Sequence, residues 1–354
     1  MRFKKSLILI TGGYGFIGSN FIRYLFENTD FEGIVVNYDK LTYAANPLNL
    51  KDIEEKYKTR YIFEKGDISD KLRMEYVLKK YEPELIVNFA AETHVDRSIY
   101  YPEDFIKSNV YGTYVLLESS RKVLMNKKSF RFHHISTDEV YGSLEEDEFA
   151  TENYPYYPSS PYSASKASSN HLVFSYYKTY GMDITISNSS NNYGPYQFPE
   201  KFIPVIILNL MNKERIPVYG KGLNQRTWIY VDDNNDAIWK IVNFSDSGEI
   251  YNVGSRDVLK NIDLVKMICK IWDSDFGGNN SFNLVEFVKD RPGHDLRYAL
   301  NIDKITKNLK WEPKVKIKEG LKKTINWYVK NNDWINFVKS EEYRDWVKKN
   351  YSNR

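Results

Sequence analysis

The sequence predicts an α/β protein: a doubly wound parallel sheet followed by a smaller, mixed α/β domain. Three observations carry that prediction. Short apolar runs alternate with amphipathic stretches across the first two-thirds of the chain, the pattern of parallel strands joined by crossover helices. A glycine-rich turn stands between the first run and the first stretch. After Pro199 the alternation becomes less regular.

The elements follow in order. Residues 6–10 (SLILI) read as a buried strand and 16–26 as a helix. A strand over 33–37, a third strand ending before Gly66, a helix over 70–81 and a strand over 85–89 come next. A helix over 110–123 precedes a strand over 132–136 (FHHIS). Ser160 and Pro161 are the types preferred at a helix cap and first position, so a long helix begins near Tyr162. A strand over 183–187 follows it, and glycines mark turns at 220–222 and 277–280. At about 150 residues per domain, 354 residues accommodate two. Residues 1–196 are assigned to the first, with later strands near 225–250 returning to it, and 197–354 mainly to the second. The basic stretch from Arg121 to Arg131, with Lys122, Lys127 and Lys128, reads as a solvated helix end and loop. The tail after Trp311 reads as amphipathic helices with snorkelling lysines.

Composition narrows the function classes. Fifty Lys+Arg against 47 Asp+Glu leave a net charge of +3, which argues against a protein held to nucleic acid by a basic face. A single cysteine, Cys269, excludes a disulfide framework and a cysteine metal cluster. His94, His133, His134, His171 and His294 include no pair at helical metal-ligand spacing, so no metal site is expected. No apolar run approaches the roughly 20 residues of a membrane span, and glycines follow the basic start where a signal peptide would stay apolar. The expectation is a soluble, cytoplasmic protein without membrane or nucleic-acid partners.

The glycine turn reads Gly12-x-x-Gly15-x-x-Gly18. Gly12 permits the tight turn, Gly15 lets backbone approach a pyrophosphate, and Gly18 allows close helix–strand packing. Phe16 and Ile17 open the helix whose N-terminus offers free N–H donors and partial positive charge. Asp39 ends the second strand about 20 residues after Gly18, where an acid binds the adenosine ribose. This is the turn of a Rossmann domain, and the acid favours NAD, while the adjacent Lys40 leaves NADP open. Asp67 and Ile68, after the third strand, are placed to read the adenine edge.

Two segments carry chemistry. Residues 136–142 (STDEVYG) lie at the C-terminal end of a strand, where open α/β sheets bind ligands. Tyr162 and Lys166 stand at i and i+4 of one helix and share a face. A phenol working as a base near neutrality needs its pKa depressed by about 3 units. A nearby ammonium and a cationic nicotinamide both favour phenolate. Tyr162 is one of 29 tyrosines, so its spacing matters more than its type.

With these segments stand residues 38–44 (YDKLTYA), 88–98 (NFAAETHVDRS), 191–201 (NNYGPYQFPEK), 226–233 (RTWIYVDD) and 290–295 (DRPGHD). Together they resemble the extended short-chain dehydrogenase/reductase superfamily, and within it the nucleotide-glucose 4,6-dehydratases, nearly end to end. The resemblance implies a cycle in which Tyr162, aided by Thr137 and Lys166, takes the sugar C4 proton while hydride passes to NAD. Glu139 then removes the C5 proton, Asp138 protonates the departing C6 hydroxyl, the hydride returns to C6, and C5 is reprotonated. It adds Ala90, Ala91 and Asn109 to the cofactor side, where Tyr162 and Lys166 are also counted as contacts. It also names Thr93, Asn191, Lys201, Arg226, Asn261, Arg291, His294 and Tyr298 as substrate contacts beside Thr137, and a homodimer through paired helices. Adjacent carboxyls in opposite protonation states need different surroundings. Consecutive residues of an extended chain, pointing opposite ways, would supply them. The acid pair separates the dehydratases from C4 epimerases and decarboxylases of the superfamily, which remain the competing enzymatic reading. A catalytically silent dinucleotide-binding protein is the competing reading outside enzymes. The nucleotide, dTDP or UDP, stays open. Asn188 stands where the family commonly has arginine, and Ala45 where glycine is usual.

Overall fold

The computed structural model describes residues 1–127 and 129–338. Its strands are β1 (Leu7–Thr11), β2 (Ile34–Asp39), β3 (Tyr61–Lys65), β4 (Leu85–Asn88), β5 (Arg131–Thr137), β6 (Ile184–Ser189), β7 (Asn191–Tyr193), β8 (Ile216–Tyr219), β9 (Gln225–Tyr230), β10 (Glu249–Val253), β11 (Val258–Lys260) and β12 (Val285–Val288). Seven of them form one parallel sheet in the order β10-β6-β5-β4-β1-β2-β3. β4, β5 and β6 are buried along their whole length, as expected of strands covered on both faces.

Alternation along β1 builds two cores. Ile8 and Ile10 pack with Phe21, Leu25, Ile238 and Trp239 of the helices Phe16–Asn28 and Val231–Phe244. Leu9 faces the other way, onto Met74, Val77, Leu116 and Val173. Chain order reverses between β1 and β4, which opens a crevice at the carboxyl ends of these strands. A further core joins the helices Phe202–Asn212, Asn261–Asp275 and Ile317–Lys330 through Ile206, Ile268, Leu321 and Tyr328, next to the parallel pair β8–β12.

Several expectations change. Of the later strands, β10 joins the large sheet beside β6, but β9 pairs with β7 and β11 in a small sheet of its own. The chain continues past Ser190 into β7, which offers β9 a partner beyond the large sheet's end. The helix expected over 110–123 begins earlier, as a π-helical turn Ile106–Gly112 running into the helix Thr113–Leu124. Arg131 is not solvated: it opens β5, is 3% exposed, and pairs through Nε with Asp183 Oδ1 at 2.9 Å. Lys128 and the tail after residue 338 lie outside the described residues. Within them the tail forms the helices Ile317–Lys330 and Asn332–Val338, whose Trp334 is buried. Among the described residues no helix is long and apolar enough to cross a membrane.

Candidate active site

The crevice holds a cleft lined by Gly12, Gly15–Gly18, Asp39, Ala90, Thr137–Glu139, Tyr162, Lys166 and Lys201, among others. Its floor is the glycine turn. Gly12 has φ +71°, and a Cβ there would lie 2.7 Å from Ala90 N, so only glycine fits. A Cβ on Gly18 would lie 2.4 Å from Gly12 O, which bars any larger residue from the helix–turn contact. Gly15 caps the helix Phe16–Asn28 without a side-chain bond, leaving the first N–H groups available to a phosphate. Asp39 is buried, and its two oxygens accept from Tyr14 N at 2.9 Å and Leu41 N at 2.8 Å. Burial pushes its pKa up, against the pull of those bonds. Lys40 Nζ pairs with Asp67 Oδ2 at 2.8 Å on the same rim. This cradle fits a dinucleotide.

Ala45, which also lines the cleft, needs no glycine: its N–H donates to Thr42 O, and the positive φ of this loop falls instead on Leu41. Asn188 sits fully buried on β6, accepting from Asn170 at 3.1 Å and donating to the Tyr141 hydroxyl at 2.8 Å. It holds local structure and lies outside the cleft-lining set.

The groups expected to carry the chemistry gather at the end of β5. Thr137 is the last residue of the strand, and Asp138–Tyr141 turn at once into a 3₁₀ helix. The extended arrangement expected for Asp138 and Glu139 is therefore replaced by a turn, and the turn makes their surroundings unequal. Asp138 is 3% exposed, with Oδ2 bonded to no group among the described residues, and burial pushes its pKa to about 7, assisted by Glu139. Glu139 is half-buried; burial raises it, but Arg291, Arg226 and Lys201 pull it down. Ser160 and Ser163 cap the helix Pro161–Tyr180 reciprocally, which fixes Tyr162 in its first turn. The Tyr162 ring meets Phe105 edge-on at 6.2 Å. Lys166, one turn on, donates to the Ile135 carbonyl at 2.7 Å. Burial pushes the phenol pKa up, with Glu139 adding to it, and pushes the Lys166 ammonium down to about 7. Burial alone favours the uncharged pair, so phenolate at Tyr162 needs positive charge supplied beside it.

The expected substrate contacts divide. Thr93, Asn191 and Lys201 line the cleft, and Lys201 Nζ donates to the Thr93 carbonyl at 2.8 Å. Arg226 is not among the cleft-lining residues; its guanidinium lies 4.1 Å from the Tyr298 ring centre and is bonded to the carbonyls of Gln225, Asp295 and Leu296. Arg291 faces Asp96 at 3.4 Å, and His294 Nδ1 lies 2.6 Å from Asp290, its pKa pushed to about 4 by burial and then Arg291. Asn261 begins the helix Asn261–Asp275 and is not among the cleft-lining residues. Asn109 also stands back: its amide bridges the Glu92 backbone and Ser165 Oγ. Sequence reasoning missed Glu92, Ser189, Ser190, Asn192, Gln197 and Glu200, which all line the cleft. Glu200 is buried, accepts from Tyr43, and has its pKa raised to about 7 by burial. Its place in segment 191–201, beside Lys201, was the available signal.

Comparison with known proteins gives the same direction. The family model described as GDP-mannose 4,6 dehydratase matches residues 9–324. A dTDP-glucose 4,6-dehydratase of Shigella flexneri is 46% identical over 362 residues, covering 98% of this chain and 99% of the relative. The chain belongs to the dTDP-glucose 4,6-dehydratase family. Two solved members share its fold. The enzyme of Streptomyces venezuelae, solved with NAD bound, superposes with a TM-score of 0.86 at 39% identity, covering 94% of this chain and 100% of that one. The enzyme of Bacillus anthracis in complex with NAD gives 0.84 at 40% identity, covering 94% and 99%. Family membership thus spans both the seven-stranded sheet and the lobe packed around Ile206 and Leu321.

Proposed function

We propose that the protein is an NAD-dependent hydro-lyase that converts dTDP-glucose to its 4-keto-6-deoxy product. The observation that carries this is the adjacent acid pair Asp138–Glu139, placed straight after β5 beside Thr137 and Tyr162. Gly12, Gly15, Gly18 and Asp39 would hold NAD, with Phe16, Ile17, Asp67, Ile68, Ala90 and Ala91 around it. When bound, NAD supplies a cationic ring and an acceptor that takes up a hydride and gives it back.

The chain's own groups move the protons. Tyr162 takes the proton of the C4 hydroxyl, Thr137 orients the same oxygen, and Lys166 offsets the phenolate charge. Glu139, raised by burial but drawn back toward its ionised form by Arg291, Arg226 and Lys201, removes the C5 proton made acidic by the C4 carbonyl and returns a proton to C5 once C6 has received the hydride. Asp138, whose pKa burial raises to about 7, delivers its proton to the C6 hydroxyl, which leaves as water. The segment from 197 onward contributes Lys201 to the cleft, and Arg226 and Arg291 would add positive charge toward the diphosphate.

Incubation with dTDP-glucose and mass spectrometry tests this. A product lighter by one water supports it; a sugar nucleotide of unchanged mass, or one that has lost carbon dioxide, sinks it. Competition between dTDP-glucose and UDP-glucose reads the nucleotide. A homodimer fits the exposed apolar row of Ile106 (52%), Tyr111 (47%) and Tyr114 (40%). Ile106→Glu is then expected to yield monomers in sedimentation, and an unchanged sedimentation coefficient would exclude that face. The buried free thiol of Cys269 is in keeping with a cytoplasmic location.

A further inference from the structure

Behind Lys166 a row of polar side chains crosses three strands. The register sets Thr11 of β1 opposite Asn88 of β4, and Asn88 opposite His134 of β5. Thr11 Oγ1 lies 2.6 Å from Asn88 Oδ1, Asn88 Nδ2 lies 3.2 Å from His134 Nδ1, and His134 Nε2 lies 3.5 Å from Lys166 Nζ. All four are sealed: Thr11 is 0%, Asn88 1%, His134 1% and Lys166 4% exposed. Two residues earlier on each strand, the same face carries Leu9, Ile86 and Phe132. Apolar side chains would ordinarily continue that layer, and buried polar groups cost stability unless fully paired. The far end of the row reaches the cofactor cradle, because Thr11 precedes Gly12 and its hydroxyl accepts from Ala90 N at 3.4 Å.

Lysine charge and histidine tautomer are linked through this row. An ammonium has three N–H bonds and no lone pair. One of those bonds goes to the Ile135 carbonyl. A second can reach His134 Nε2 only if that nitrogen carries no proton. Neutral His134 then holds its proton on Nδ1 and donates it to the Asn88 side-chain oxygen, with the Asn88 nitrogen turned toward Thr11 Oγ1. Amide oxygen and nitrogen occupy equivalent positions, so this turn displaces no neighbour. As the amide stands in the structure, Thr11 donates to Asn88 Oδ1 and Asn88 Nδ2 donates to Nδ1, which puts the ring proton on Nε2, where it opposes a charge on Lys166; a charged Lys166 therefore requires the amide to turn. His134 itself stays neutral, since burial and then Lys166 push its pKa well down.

We propose that His134 is a positioning residue for Lys166: oriented by Asn88 and Thr11, it presents an unprotonated Nε2 that keeps the lysine charged beside Tyr162. The groups bonded to Lys166 Nζ are His134 and the Ile135 carbonyl, both from β5; Tyr162 stands one turn earlier on the helix of Lys166, with Glu139 and Asp138 acting on it. His133 takes no part, because its ring nitrogens bond Thr185 and Ser187 of β6.

Two measurements test it, and it rests on the reading of Tyr162 and Lys166 given above. In nitrogen-labelled protein as purified, the histidine NMR signals lost in His134→Gln are expected to be those of a neutral ring protonated on Nδ1. A ring protonated on Nε2 overturns the proposal. In the second, nicotinamide reduction on adding dTDP-glucose is followed against pH. His134→Leu removes the acceptor, so the midpoint is expected to rise and reduction at neutral pH to slow about 10-fold. His134→Gln, which restores a side-chain oxygen, should recover most of the rate. A folded His134→Leu with an unmoved midpoint overturns it. Should that variant not fold, Thr11→Val is expected to move the midpoint the same way, and no movement there overturns it too. A natural chain that never reduces nicotinamide instead fails the proposed function, and the tautomer alone then decides this inference.

Discussion

Asp138 and Glu139 are consecutive residues, both pushed up by burial, yet held in unequal electrostatic settings. Asp138 Oδ2 is buried with no hydrogen-bond partner among the described residues, while Glu139 feels Arg291, Arg226 and Lys201 together. The proposed reaction needs the first to keep a proton and the second to give one up. Glu139→Gln should therefore leave oxidation at C4 intact and slow C5 exchange with solvent by roughly 100-fold or more. Deuterium incorporation at C5 measures this, and undiminished incorporation removes Glu139 from its role. Asp138→Asn should let C5 exchange proceed and retard loss of water.

The same pair sets a pH dependence. Asp138 must be protonated to act as acid, and burial places its pKa at about 7. Water loss should therefore fall as pH rises through about 7, as that proton leaves. Glu139 must be ionised, and burial raises its pKa as well, so the rate should also fall on the acid side. The alkaline limb should disappear in Asp138→Asn, leaving a lower, flatter profile. A natural enzyme whose elimination rate stays level well above pH 7 would contradict the assignment.

Tyr162→Phe removes one hydroxyl from a ring already packed against Phe105, so the fold should tolerate it. Reduction of the nicotinamide should drop by roughly 100- to 10,000-fold, the usual share of a general base. Cofactor retention should be unchanged, because the glycine turn and Asp39 are untouched. Absorbance of the reduced ring after substrate addition reads the first effect, and bound nucleotide after gel filtration reads the second.

Much of the site was legible because it is local. The turn Gly12 to Gly18 and the Tyr162–Lys166 pair each lie within one turn or one helix, so spacing alone brings their groups together. Asp138 and Glu139 were legible by position but not by conformation, because the sequence does not announce that β5 ends in a 3₁₀ turn. What stayed hidden depends on register. Nothing in the sequence aligns Thr11, Asn88 and His134, which stand far apart and meet only through strand pairing. Arg226 and Arg291 were found as types, yet their fixing by backbone carbonyls and Asp96 comes from the packing of distant loops.

Arg131 shows the same point and supplies the last prediction. A run of basic residues suggests solvent, but the strand that follows carries the guanidinium inside, where its side chain is 4% exposed. Nη1 donates to the carbonyls of Val242 and Ser245 at 3.0 and 2.9 Å, tying β5 to the end of the helix Val231–Phe244. Asp183 supplies the opposing charge and also pairs with Arg2 at 2.8 Å. Asp183→Ala leaves the Arg131 charge buried with only carbonyl dipoles. That should cost about 3 kcal/mol, the low end for a broken buried pair, because Asp183 keeps some solvent contact. Adding Arg131→Met should recover part of the loss, since the buried charge goes with its partner. Urea unfolding of the two variants measures both steps. A single variant as stable as the natural chain would mean that the carbonyls alone compensate Arg131, and that Asp183 serves mainly Arg2.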